Sequence, residues 1–143
     1  MRARAFRPPA RGISLIEALI AGLILSAGLI GLMRMQSQLV SASTDAQLRY
    51  SAVQLADELL NVVRIDAANA ACYTLPQSGA CGSVAATTYT TDWSARTAAS
   101  LPGTVTRTVA LNAATGRMTV SIGWTSRNGA DPRLLNVETD VRP

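Results

Sequence analysis

Residues Ile13 to Met33 form a run of 21 positions that carries a single charge, Glu17, among apolar and small side chains. Arg11 and Gly12 stand before it and Arg34 closes it. As a helix the run is about 31 Å long, close to the thickness of a bilayer's hydrocarbon core. An acid inside such a run is costly in lipid and marks a candidate functional site. Taken alone, Glu17 has a simpler reading: near a helix N-terminus it complements the dipole and can snorkel to the interface.

The charge distribution narrows the function. All 13 basic residues are arginine, and four of them (Arg2, Arg4, Arg7, Arg11) precede Gly12. Beyond Gly12 nine arginines face nine acids, so the basic pI belongs to the leader alone. That removes the clustered basic face a nucleic-acid partner needs. The leading arginines predict a cytoplasmic N-terminus, with everything after Met33 on the far side of the membrane. The chain has no His and no Lys, hence no imidazole base or ligand and no Schiff-base lysine. No paired-carboxylate motif stands in their place, so we expect no enzyme, no metal, no cofactor and no small-molecule substrate.

Residues 1–12 read as a basic, removable leader. A conventional signal peptide cut at Ser26-Ala27-Gly28 is the alternative, and Glu17 within its apolar core counts against it. No proline occurs between Pro9 and Pro76, so the helix is expected to continue to about Asn69, roughly 80 Å in all. Residues 13–33 form its apolar half and 34–69 its amphipathic half. In the second half Leu48, Ala52, Leu55, Leu59 and Val62 recur at helical spacing, with Ala56 and Val63 beside them. In the first half Ala18, Gly22 and Ser26 make a stripe of small residues suited to close helix packing, or are simply tolerated in a membrane span.

Residues 70–143 are expected to form a head. Cys72 and Cys81 flank a loop with Pro76 and Gly79; they can pair or remain separate thiols, and an oxidising compartment favours the pair. The spacing fits neither a redox C-x-x-C nor a metal cluster. Ser83 to Thr91 reads as loop, with Asp92 capping a short helix, Trp93 to Ser100, stopped by Pro102-Gly103. Met118, Val120, Ile122 and Trp124 alternate with small polar residues, the pattern of a half-buried strand. Val105, Val109 and Leu111, interrupted by Arg107, precede it across a hairpin loop from Asn112 to Gly116. Leu135, Val137 and Val141 follow a turn at Asn128-Gly129. The expectation is an α+β chain, a long N-terminal helix covering an antiparallel sheet of three or four strands.

Gly12-Ile13-Ser14-Leu15-Ile16-Glu17, with its basic leader and long helix, resembles the processing motif of type IV prepilins. SLIEALIAGLILSAGLIGLMRMQ, Asp92-Trp93, Leu101-Pro102-Gly103 and Val120-Ser121-Ile122-Gly123-Trp124-Thr125, in that order, are similar to PilV-type minor pilins. The resemblance implies a pilin-like fold and cleavage after Gly12 by a membrane-embedded prepilin peptidase. It further implies N-methylation of Ile13 and a contact between Glu17 and the free amine of Ile13 in the same or a neighbouring subunit. The implied partners are that peptidase, major and other minor pilins, and the inner membrane before assembly into a filament. The alternative is a minor pseudopilin of a type II secretion system, which shares the leader, the Glu and the helix but serves protein export. Many major pilins carry a proline within this helix; none is present here.

Overall fold

The computed structural model describes residues 14–126 and 131–141. Helix α1 (Leu15–Ile65) begins where the Ser14 carbonyl accepts the amides of Glu17 (2.9 Å) and Ala18 (3.2 Å). Glu17 in its first turn and Arg64 in its last complement the helix dipole. α1 stops short of Asn69, and a 3-10 segment, Ala67–Tyr73, follows. Asp66 supplies the reason, because its carboxylate accepts from Asn69 Nδ2 (2.8 Å) and Tyr73 Oη (3.0 Å). Those side-chain bonds compete with continued α-helix, and Asn69 leaves helical geometry at φ −106°, ψ 20°.

The chain divides into two compact units, Met1–Ala42 and Ser43–Pro143. In the second, α1 buries Ala52, Ala56, Leu59, Leu60 and Val63. Leu48, Leu55 and Val62 flank them and are partly buried. The stripe is therefore rotated slightly from the expected one, with Ala56 and Val63 at its centre and Leu60 added.

Helix α2 (Val84–Ser100) corrects the expectation of a loop followed by a helix capped at Asp92. The cap is Ser83, whose Oγ accepts the Ala86 amide at 3.3 Å. Threonines that argue against a helix by propensity are satisfied on its own carbonyls: Thr90 on Ala86, Thr91 on Thr87 and Thr97 on Trp93, at 2.8–2.9 Å. Thr90 and Thr97 are buried in line with Ala86 and Trp93, so hydroxyl-bearing residues carry half of the core-facing period. Trp93 is fully buried, and its indole N–H donates to the Leu55 carbonyl of α1 at 2.7 Å. Leu101 ends the helix in extended geometry. Gly103 then turns at φ 72°, where a Cβ would collide with Thr125 Oγ1.

Strands β1 (Thr106–Asn112), β2 (Arg117–Thr125) and β3 (Pro132–Asp140) form one antiparallel sheet in that order. The register aligns Val109, Val120 and Val137 across it, with Ile122 between Arg107 and Leu135. Met118, Val120, Ile122 and Trp124 are buried as the alternation predicts. Thr108, Ser121 and Asn136 share the opposite face. Asn112 builds the β1–β2 turn, accepting the amides of Ala114 and Thr115 on its side chain. The expected turn at Asn128-Gly129 lies outside the described residues. Arg64 at the end of α1 donates through Nε (2.8 Å) and Nη2 to the Thr139 hydroxyl of β3.

Cys72 and Cys81 are bridged. The loop they close is held to β1 by two backbone bonds between Leu75 and Val109, at 2.9 and 2.8 Å. The Thr74 hydroxyl accepts the Ser78 amide at 2.8 Å inside it. Reduction, or Cys72→Ser with Cys81→Ser, is expected to lower head stability by about 2–3 kcal/mol, read as a shifted denaturant midpoint with and without reductant.

A polar chain ties α1, the 3-10 segment and α2 together. Glu58 Oε1 accepts from Arg96 Nη2 and Tyr89 Oη, each at 2.8 Å. Tyr89 meets the Tyr73 ring edge-on at 6.3 Å, and the Arg96 guanidinium lies 6.0 Å from the Tyr89 ring centre. The Arg96 bond holds the Glu58 carboxyl below its ordinary value against a burial effect of opposite sign, with Tyr89 assisting. Burial, then the Asp66 hydrogen bond, push the Tyr73 hydroxyl up to about 12. Because the folded-state value of Glu58 is lowered, its contribution is present above the ordinary value of 4.5 and is lost as pH falls through the folded value. Glu58→Gln should therefore cost about 0.5–1 kcal/mol at pH 7, a size limited by solvent screening. The difference from the native chain should close on acidification below the ordinary value of 4.5 in urea titrations.

Candidate functional site

Every residue from Ser14 to Ser43 is exposed. Leu15 is 85% exposed, Leu19 and Leu23 71%, and Met33 67%, so the most apolar part of the chain is also its least covered. A monomer in water rarely leaves more than a few hundred Å² of contiguous apolar surface open. The segment Leu15 to Met33 is about 29 Å long as a helix, enough for a bilayer core. Among the described residues α1 is the one helix long and apolar enough to cross a membrane.

Glu17 lies in the first turn of this surface, exposed, with its amide on the Ser14 carbonyl. No described side chain bonds its carboxylate, so the acid at the head of the apolar run is open to a partner. Gly12 and Ile13, the expected processing site, lie outside the described residues, as does any contact between Ile13 and Glu17. Ala18, Gly22 and Ser26 fall one turn apart along one stripe of the exposed helix. A Cβ at Gly22, Gly28 or Gly31 would meet nothing within 4 Å, so packing among the described residues does not require these glycines. Ser26 Oγ donates to the Leu23 carbonyl at 2.8 Å, which satisfies its one polar group within the helix. The stripe is thus both small and free of unmet polar groups, as close approach of another helix requires.

The head presents a different chemistry. Among the described residues no group of three or more His, Cys, Asp or Glu side chains could hold a metal ion. Two of its ion pairs, Glu58 with Arg96 and Asp45 with Arg133, have N···O distances of 2.8 Å. Local sequence reading misses both, because their partners are 38 and 88 residues apart. The first carries one weak signal, the placing of Tyr89 and Arg96 on a helix that the threonines disguise.

In comparisons with known proteins, no family model, no curated protein and no solved structure matches the chain.

Proposed function

We propose that the chain is a minor pilin, made as a membrane-anchored precursor and incorporated into, or priming, a type IV pilus. The observation that carries this reading is the exposed apolar helix with Glu17 in its first turn, directly after Gly12-Ile13-Ser14-Leu15-Ile16. A lipid anchor alone accounts for the apolar surface and leaves the acid unexplained. An assembled filament accounts for both. There the helix exchanges lipid for neighbouring helices, and the Glu17 carboxylate pairs with the amine that cleavage creates on Ile13. A buried carboxylate must be paired or protonated, so this partner makes processing a condition of assembly. The small stripe Ala18, Gly22, Ser26 supports tight helix packing in the filament. In the precursor the leader faces the cytoplasm and the disulfide-bridged head faces the periplasm. The function is one of assembly, with prepilin peptidase, other pilins and the inner membrane as partners, and it uses no cofactor.

N-terminal sequencing of the mature chain should begin at N-methylated Ile13; a start near Gly28 or Leu29, or retention of Met1, would refute the reading. Glu17→Val should be cleaved at the native rate while its amount in sheared filaments falls at least about tenfold, a modest effect for loss of a buried ion pair. Native-level incorporation would strip Glu17 of its assembly role.

A further inference from the structure

Asp45 and Arg49 stand one turn apart on α1, with the acid N-terminal to the base, the order that favours an intrahelical pair. The chain does not form it. Asp45 Oδ2 accepts instead from Arg133 Nη2 of β3 at 2.8 Å. Arg49 is left exposed, with no hydrogen bond or ion pair among the described residues. Together with Ala46 and Trp124, these three residues line a pocket of about 270 Å³ in the head. Two guanidiniums and one carboxylate give it one uncompensated positive charge. Trp124, 5% exposed, adds a rigid aromatic wall.

We propose that this pocket binds the carboxylate of a single acidic side chain, Asp or Glu, presented by another protein chain. A free guanidinium has a planar fork of donors that matches a carboxylate in two parallel bonds. Arg133, held in place by Asp45, adds a second positive charge without having to be ordered on binding. Trp124, almost wholly buried, closes one side of the pocket. The volume lies below the roughly 300–1,000 Å³ of small-molecule pockets, which fits one side chain better than a free ligand. The inference goes beyond the pilus reading and does not depend on it, since any partner with an exposed acid serves.

The two tryptophans of the chain make the test internally controlled. In 1H–15N spectra of the full chain in detergent micelles, the Trp124 indole resonance reports on the pocket. Trp93, buried and bonded to Leu55, reports on the fold. Titration with the capped tripeptide Gly-Glu-Gly should shift the Trp124 signal saturably and leave Trp93 still. Gly-Gln-Gly should bind at least about tenfold more weakly, since it lacks the charge. Arg49→Gln should weaken Gly-Glu-Gly about two- to fivefold with Trp93 unchanged. Inorganic phosphate should be the weaker ligand. Four results would overturn the proposal: no saturable shift, an equal response to Gly-Gln-Gly, tighter binding of phosphate, or native affinity in Arg49→Gln.

Discussion

The head depends on one contact, the seating of Trp93 against α1. An indole is large and carries a single donor, so burying it fully requires both room and an acceptor. Ala52 and Ala56 of α1, on either side of Leu55 in sequence, are wholly buried too, with nothing larger than a methyl group as side chain. The Leu55 carbonyl between them supplies the acceptor. With α2 anchored there, Thr90 and Thr97 fall into the same core as Leu59, Val63 and the buried face of β2. Fixing Trp93 also brings Tyr89 and Arg96 onto Glu58, so one apolar anchor positions the polar chain beside it.

The apolar segment of α1 answers to a different constraint. Its backbone polar groups are satisfied internally by helix formation, and its side chains are exposed among the described residues. Such a surface is stable only in a medium that does not hydrogen-bond, whether lipid or other helices. The small residues along it suit the second medium, in which backbone approach rather than the hydrophobic effect drives association. On the pilin reading proposed above, the helix meets both surroundings in succession, and Glu17 finds its partner in the second.

The legible parts of the fold were those whose signal is apolar periodicity. β2 reads directly from Met118 to Trp124, and the amphipathic stretch of α1 to within a fraction of a turn. The first half of α2 was illegible because Thr90 takes a core position and Ser83 caps without the acidic residue three positions on that marks a capping box. The end of α1 was set by Asp66, whose partners Asn69 and Tyr73 are recognisable only once the chain has turned. Of the candidate site, Glu17 and the small stripe stand out in sequence because they break the chemistry around them. The pairing of Asp45 with Arg133 does not, since helical spacing points Asp45 toward Arg49.

The bridged loop also decides how the sheet ends. A three-stranded sheet has two outer edges, each a row of backbone groups that can template another strand. On β1 the loop closed by Cys72 and Cys81 occupies part of that row through Leu75 and Val109. No comparable bridge flanks β3 among the described residues. The two edges of the sheet therefore differ: the bridged loop covers one position of β1, and β3 carries no such cover among the described residues.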